Sequence, residues 1–598
     1  MSTPPPDSPS RSRGPTVAAW LVFAAVAVAS TWPLVAHLAT ALPLGDESVP
    51  TVPLFNLWTV WWNADRAAVG FEGYWDAPIF HPTRGTFVLS EAQPNTVVVA
   101  PLIWLSGRPV LGYNVYLLVS LWLNGGLTYR LLRQCGLRRW PAVGAGVVVQ
   151  VLPFLCWQLG VLQLTQLWPT LWLMGALVRW SGGPRWRTAV EIGLAFALTY
   201  VTCNYYGLFV AMLLAPAGLW LLRRPCLTVR GVAQIGLAGL LAAALVWPIV
   251  SVQRKSSAEH RWEREEALVI ELSAHLRDYS DTPWSQWLGA WEIVSPGRTD
   301  VWVLGPGWLK LIAAGVGGGL GLCFAGRRRW TLLVLTFGGL AVLFSLGPTC
   351  EFWNLSPYRG LREHLPGLGQ IRSPFRFAVF VQLAVAFLCG ETLQRLHPQG
   401  WWPRVAERCG RWRTIASWLS WLPMFLLGAA LIAETLPPPQ RLHQLAGPDE
   451  LPLWVTFLRD ETPAQAPVIC LPVPLGIRVQ DYEVETRWMV WQIHHGHPLL
   501  NGYSGYFPDS YVQLNGDLDH FPDRGVPRLL DMGARFAVVD RTRYPGSRLE
   551  RHPATRDWEW VFTDGQAGID IYRLPETQAA EFDSPASALS PANKPDAG

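Results

Sequence analysis

The sequence predicts a polytopic α-helical membrane protein with a small extracytoplasmic α+β domain at its C-terminal end. Three observations carry the fold class. Apolar runs recur from Thr16 to Glu434, and about eleven of them approach the ~20 residues a crossing helix needs. Short arginine-rich gaps alternate with long gaps of mixed charge that are rich in Trp, Pro and acids. Beyond residue 435 the apolar runs stop and short strand-like segments begin.

The runs fall at roughly 17–37, 112–132, 141–158, 163–180, 188–204, 206–222, 231–251, 305–325, 330–347, 374–394 and 414–434. Residues 1–15 are rich in Pro and Ser and read as a disordered cytoplasmic N-terminus. Residues 16–435 form the membrane domain, with large outer loops at 38–111, 252–303 and 348–372. In the first loop, Leu54, Leu57, Trp58 and Trp61 recur at helical spacing between Pro53 and Val69, which predicts a helix lying along the membrane surface. Val97–Leu105 is apolar but too short to span, so it is expected to be re-entrant or interfacial. A Pro-rich linker at Leu436–Pro439 leads to an α+β domain at 440–577. There Leu451–Leu458 reads as helix, and Pro467–Leu471 and Arg535–Val539 as strands. Trp558–Phe562 and Gly568–Tyr572 flank Asp564-Gly565, a hairpin signal. Residues 578–598 are expected to be disordered.

Orientation follows from Lys and Arg in short loops. Arg11 and Arg13 precede the first run. Arg130, Arg133, Arg138 and Arg139 follow the second, Arg179, Arg185 and Arg187 the fourth, and Arg223, Arg224 and Arg230 the sixth. Arg327, Arg328 and Arg329 follow the eighth, and Arg395, Arg404, Arg408, Arg411 and Arg413 the tenth. All fall on one side if the N-terminus is cytoplasmic, which puts the C-terminal domain outside. The expected location is a bacterial plasma (inner) membrane.

The chain is 50% hydrophobic and 15% charged, with a net charge of +4. That charge reports the arginine anchors, so it points to a lipid bilayer and to no nucleic acid. Of nine Cys, only Cys350 and Cys470 fall in expected outer regions, which is no disulfide framework. His494, His495 and His497 lie close together without an Asp or Cys partner at ligand spacing. No phosphate-binding P-loop, dinucleotide fingerprint or nucleophile elbow occurs, which excludes a nucleotide-powered pump and a soluble-type hydrolase. No internal repeat is evident, which weighs against a transporter of inverted halves.

Two groups of residues carry candidate chemistry. Asp46 and Glu47 follow the first run. Paired carboxylates there can deprotonate a hydroxyl or hold a divalent cation against a phosphate; the plainer alternative is a solvated pair ending a helix. Arg372 and Arg376 flank Ser373-Pro374, an N-cap and first-turn signal for the tenth run. A helix starting at the outer surface turns its positive end outward, so two arginines there would add to an anion site. The alternative is snorkelling to lipid head groups.

An acidic residue soon after the first span, on a long outer loop, in a protein of about eleven spans with an outer C-terminal domain, resembles the GT-C glycosyltransferases. The adjacent Asp46-Glu47 resembles the pair in the protein mannosyltransferase branch. Ala77–Pro82 through Leu89–Glu91, Leu365–Gly367 with Ile371–Phe377, and Asn501–Tyr506 are similar to segments of uncharacterised bacterial GT-C-like proteins. The chain also departs from the pattern. Gln158–Gln163 holds no carboxylate where many members carry a second acid on the next outer loop, and Trp61-Trp62-Asn63 is not the Trp-Trp-Asp motif of oligosaccharyltransferases.

The resemblance implies an inverting transferase that moves a sugar from a polyprenyl-phosphate donor to an extracytoplasmic acceptor, whether glycan, lipid or protein. Asp46 would be the base, with Glu47 beside it, and either could ligate a divalent cation. Arg372 and Arg376 would hold the donor phosphate, with Arg359 and Arg254 as further candidates. His81, Glu91, Asn204, Tyr205 and Tyr206 could line the pocket, although loop and interface roles fit them equally. Two other classes stay open: a lipid or polysaccharide transporter or flippase, and a degenerate transferase serving as an envelope-assembly scaffold.

Overall fold

The computed structural model describes residues 14–260, 262–280, 303–351, 355–400, 417–447, 450–474 and 476–576. Residues 1–13, the loop segment 281–302, the arginines at 404–413 and the expected disordered tail 578–598 lie outside the described residues, while Gly14 and Pro15, expected to be disordered, already belong to the first helix. The chain divides into two compact units. The first comprises Met1–Trp75, Phe87–Glu450 and Ser504–Tyr506, and the second Asp76–Thr86, Leu451–Tyr503 and Phe507–Gly598.

In the first unit the described helices are α1 (Gly14–Ser30), α2 (Thr51–Ala68), α3 (Ala100–Ser106), α4 (Pro109–Gln134), α5 (Arg139–Gln150), α6 (Pro153–Trp157), α7 (Trp168–Gly182) and α8 (Trp186–Thr202). There follow α9 (Asn204–Ala217), α10 (Val229–His260), α11 (Glu266–Glu271), α12 (Trp308–Cys323), α13 (Ala325–Ser345), α14 (Pro357–His364), α15 (Ala378–Leu396) and α16 (Leu422–Ala433). Every apolar run read from the sequence contains a helix. Among the described residues six helical stretches are long and apolar enough to cross a membrane: Pro109–Gln134, Arg139–Gly160, Asn204–Leu221, Val229–Glu259, Ala325–Ser345 and Pro374–Leu396. Pro punctuates several of the apolar runs, because it removes a backbone donor and bars the helix before it. Thus α5 ends at Gln150, two residues before Leu152-Pro153, and α7 opens with Pro169 in its first turn.

Helix α15 is the axis of the packing. Residues Ala378–Leu393 are all buried, so the helix is apolar all round, as a helix enclosed by others must be. It packs on α5, α12 and α13. At Gly317 the backbone of α12 comes so near that an added Cβ would lie 2.1 Å from the Leu388 carbonyl oxygen. Gln382 ties α15 to two neighbours: its Oε1 accepts from the Phe154 N–H (3.0 Å) and its Nε2 donates to the Leu304 carbonyl (2.8 Å).

Helix α2 corrects one expectation. It forms where the spacing predicts, but Leu54, Leu57 and Trp58 are buried against protein and not laid on lipid. α2 packs on α3, on α4 and on the turn Pro94–Val99. Asn63 fixes that contact by donating to the carbonyls of Ala92 (2.8 Å) and Gln93 (3.2 Å). Within the short run Val97–Leu105, Val98, Trp104 and Leu105 are exposed at 69%, 51% and 89%, which fits the interfacial expectation for it.

Strands β1 (Ala41–Pro43) and β2 (Leu442–Gln444) pair antiparallel within the first unit. The second unit holds a four-stranded sheet of β3 (Val468–Leu471), β4 (Phe536–Asp540), β5 (Glu559–Asp564) and β6 (Ile569–Arg573), in the order β3-β4-β6-β5. β3 and β4 are parallel and the other pairs antiparallel. Ile469, Leu471, Ala537 and Val539 face the core with Leu514 and Leu529. The β5–β6 hairpin is longer than a two-residue Asp-Gly turn. Asp564 pairs with Ile569 and its Oδ1 accepts from the N–H groups of Gln566 and Ala567 (3.0 and 2.9 Å), while the left-handed position is Gly568 (φ 71°) and not Gly565. An Asx-type turn therefore sets the loop.

Candidate active site

Asp46 and Glu47 sit on a tight turn held by backbone contacts. Gly45 has φ 58°, and a Cβ on it would lie 2.3 Å from the Trp157 carbonyl oxygen, so only glycine fits. The Asp46 N–H donates to that same carbonyl (2.8 Å) and the Leu44 N–H to the Arg441 carbonyl (2.9 Å). Arg441 closes the turn from the other side, donating through Nη2 to the carbonyls of Gly45 (3.3 Å) and Glu47 (2.9 Å). The carboxyl pair is thus positioned by β1, by the turn at Gln158–Gly160 and by the chain just past α16.

Both carboxyls are held above their ordinary values. Asp46 is an exposed residue, yet loss of water around its carboxyl outweighs the opposing charge of Arg441. For Glu47, loss of water leads, the Asp46 charge adds to it, and Arg376 and Arg372 pull it back. The two arginines predicted as an anion clamp therefore lie close enough to act on Glu47, while Asp46 senses Arg441 instead.

The helix start at Arg372–Arg376 differs in detail from expectation. Ser373 precedes Pro374 as predicted, but its hydroxyl makes no cap bond. The chain enters α15 through a 3-10 turn, Pro374–Phe377, in which the Arg376 N–H is met by the Ser373 carbonyl (3.3 Å). The Phe375 N–H is met by the Leu272 carbonyl (3.2 Å). With those donors engaged, anion binding at this point falls to the side chains. Arg376 lies over the Tyr205 ring with its guanidinium carbon 4.5 Å from the centroid.

Arg264 joins this group, and sequence reasoning passed over it. Its guanidinium carbon is 3.7 Å from the Tyr506 centroid and its Nη2 donates to the Gly505 carbonyl (2.6 Å). Tyr506 stacks in turn on Trp262, with centroids 4.7 Å apart and planes at 10°. Burial, then the nearby Arg372 charge, hold Arg264 below the ordinary guanidinium value. The Nε–H groups of Arg264 and Arg376 are buried and make no hydrogen bond among the described residues. The only signal in the sequence was the charge density around Arg264 and the aromatic Tyr506.

The remaining candidates separate. Glu91 accepts from the Asn204 N–H (2.7 Å) and the Gln163 Nε2 (3.0 Å). Tyr206 is buried and spends its hydroxyl on the Leu164 carbonyl (2.6 Å), so it is a packing residue and not a pocket wall. Arg359 is engaged elsewhere, with Glu266 (2.8 Å) and Glu351, which removes it from the clamp. Arg254 is exposed on α10. His81 belongs to the second unit, where its N–H meets the Leu499 carbonyl (2.9 Å). His497 places its ring nitrogens within hydrogen-bond reach of the carbonyls of Leu458 (2.8 Å) and Ala466 (3.1 Å), so its ring is a packing element of the second unit. Cys350 and Cys470 are free thiols.

The sequence matches no protein-family model and no curated protein. The fold does have solved counterparts. The arabinofuranosyltransferase AftD from Mycobacteria aligns over 95% of this chain and 40% of its own, with a TM-score of 0.53 at 13% identity. The chain has the GT-C fold. The oligosaccharyltransferase AglB from Archaeoglobus fulgidus, solved with an inhibitory peptide and dolichol-phosphate, covers 88% of this chain and 69% of its own (TM-score 0.47, 12% identity). ArnT from Cupriavidus metallidurans, bound to undecaprenyl phosphate, covers 92% and 97% (TM-score 0.45, 14% identity). The chain spans about two fifths of the length of AftD. Within this GT-C fold the acid-free segment Gln158–Gln163 is met by a carboxylate from elsewhere, because Glu91 reaches it from the end of the first long loop.

Proposed function

We propose that the chain is an inverting membrane glycosyltransferase that moves a sugar from a polyprenyl-phosphate donor to an acceptor outside the bacterial plasma membrane. Its N-terminus would lie in the cytoplasm and its second unit outside. The observation that carries the reading is the reach of Arg372 and Arg376 to Glu47, which joins a carboxyl pair and an arginine group from opposite ends of the first unit's sequence.

The chemistry follows from the two sides of that group. Asp46 removes the proton from an acceptor hydroxyl. The hydroxyl oxygen bonds to the anomeric carbon, and the bond from that carbon to the phosphate oxygen breaks, its electron pair leaving with the phosphate. The arginines pair with the charge that develops there. Inversion requires base and leaving group on opposite faces of the sugar. Asp46, which senses Arg441, suits the acceptor face, and Glu47, which senses Arg372 and Arg376, lies nearer the phosphate. Glu91 holds the start of α9, next to the Tyr205 that supports Arg376.

A divalent cation takes several oxygen ligands. Among the described residues no group of three or more His, Cys, Asp or Glu is arranged to hold a metal ion, so the paired carboxyls alone do not make a metal cage. The transporter alternative needs charged groups lining a path. The buried charges of the helices are instead paired at helix ends, Lys310 with Glu434 and Arg327 with Glu391. The test is sugar transfer from polyprenyl-phosphate donors in reconstituted membranes. Asp46→Asn should abolish transfer at unchanged insertion, and an Asp46→Asn protein as active as wild type would end the proposal.

A further inference from the structure

The second unit contains a cleft of about 530 Å³ that the transfer chemistry does not use. It opens where the parallel strands β3 and β4 end. Pro472, Val473 and Pro474, directly after β3, form one wall, and Asp540 and Arg543, at and just after the end of β4, form another. The helix Glu483–His495 closes it with Glu483, Arg487 and Trp488. In α/β sheets the crevice beyond the carboxyl ends of parallel strands is where ligands bind, because the loops diverge there. The volume is in the range of small-ligand sites, roughly 300–1,000 Å³.

The lining indicates the chemistry of the occupant. Its acids are already engaged. Glu483 takes the Arg487 Nη2 on both oxygens (2.6 and 2.7 Å). Asp540 accepts from the Thr542 N–H and hydroxyl (2.8 and 2.7 Å), and Asp481 from the Arg478 N–H (2.9 Å). Three acids stand against two arginines, so a phosphate meets no net positive charge, and a cation meets only carboxylates that already have donors. Trp488 is 6% exposed, and its Nε1–H has no hydrogen-bond partner among the described residues. A buried donor of that kind calls for an acceptor oxygen. Apolar Pro472, Val473 and Pro474 beside paired polar groups suit a ring with C–H faces and hydroxyl edges.

We infer that this cleft binds one or two units of a neutral glycan, with Trp488 Nε1 and Arg543 donating to its oxygens. Identifying that glycan as the acceptor rests on the transferase reading; the binding itself does not.

The experiment uses the full chain with Asp46→Asn, so that transfer is silent, in lipid nanodiscs free of maltoside detergent, whose head group is itself a neutral glycan. Saturation-transfer NMR is run with maltotriose, mannotriose and arabinotriose, and with trigalacturonate and inorganic phosphate as charged probes. At least one neutral trisaccharide should receive saturation. Trp488→Phe, which keeps the ring and deletes the donor, and Arg543→Ala, an exposed position, should each weaken it about tenfold, the loss of one hydrogen bond worth ~1.4 kcal/mol. Saturation confined to the charged probes, none in any neutral probe, or equal affinity in both variants would overturn the inference. Loss of transfer in the earlier assay with binding intact would condemn the transferase reading alone.

Discussion

Arg376 lies over the ring of Tyr205, 4.5 Å from its centroid, while its charge reaches Glu47. One side chain thus links the mouth of α9 to the turn that follows α1. An aromatic face holds a guanidinium without neutralising it, so the fork stays available for a phosphate.

Arg376→Ala should lower transfer about ten- to a hundredfold, in line with ~1.5–3 kcal/mol for a charge-assisted hydrogen bond. Arg372→Lys should recover little of the wild-type rate, because a point charge does not replace a planar fork. Rates measured against lipid-donor concentration and normalised to inserted protein decide this. Unchanged kinetics in both variants would leave these arginines as head-group anchors.

The pH profile carries a sign. Glu47 is raised by burial and by Asp46 and lowered by Arg376 and Arg372. A raised folded value means that its stabilising effect is complete below the unfolded value of 4.5 and is lost as pH rises through the folded one. Activity needs the ionised pair, so the acidic limb of kcat/KM should lie above the ordinary carboxylate range. Arg376→Gln removes a charge that lowers Glu47 and should move that limb upward. A limb that stays put or moves down would show that Arg376 does not act on the pair.

Tyr506 should matter through its ring. Tyr506→Phe keeps the face under Arg264 and loses the hydroxyl, with its 3.2 Å bond to the Trp262 carbonyl and its contact with the Arg264 guanidinium. Tyr506→Ala removes the face. The first should keep most transfer and the second should approach Arg264→Ala, with the loss chiefly in donor KM. Equal effects of Phe and Ala would contradict a stacking role.

The Lys310–Glu434 pair makes a stability prediction. Lys310 is fully buried, its Nζ 3.4 Å from Glu434 and 2.7 Å from the Thr435 hydroxyl. Glu434 also accepts the Leu309 N–H (2.6 Å) at the start of α12. Glu434→Gln leaves a buried cation without its counter-charge and should cost ~3–5 kcal/mol. Lys310→Met with Glu434→Gln should recover much of that. Thermal unfolding in nanodiscs reads both, and a single variant as stable as wild type would refute the account.

Orientation has its own test. Alkaline phosphatase fused after Thr577 should be active, and a fluorescent protein that folds only in the cytoplasm should stay dark at that position. The opposite pair of results would reverse the topology.

Helix positions were legible because apolar length and period are local properties of sequence. The strands at Val468–Leu471 and Phe536–Asp540 were legible for the same reason. What escaped was long-range. Nothing local to Leu54 or Trp58 tells a lipid-facing stripe from one covered by α4. Nothing near Arg264 announces that Tyr506 supplies its platform, because 504–506 departs from the second unit's sequence to join the first. Arg359 and Arg376 look alike as outer-loop arginines; only the fold assigns one to Glu266 and Glu351 and the other to Tyr205 and Glu47. Glu91 was visible, but its meeting with Gln163 was not.

The pairing of β1 with β2 has a consequence for the order of events during synthesis. Ala41–Pro43 and the turn at Asp46 emerge early from the ribosome, whereas Leu442–Gln444 and Arg441 emerge only after α16. Until then the turn lacks the strand and the guanidinium that set its carbonyls. A nascent chain could therefore complete most of its helices and still be unable to act on lipid-linked sugar, and a protein shortened to end at α16 would be inert through a loosened Asp46, a defect easily mistaken for loss of a contribution from the second unit.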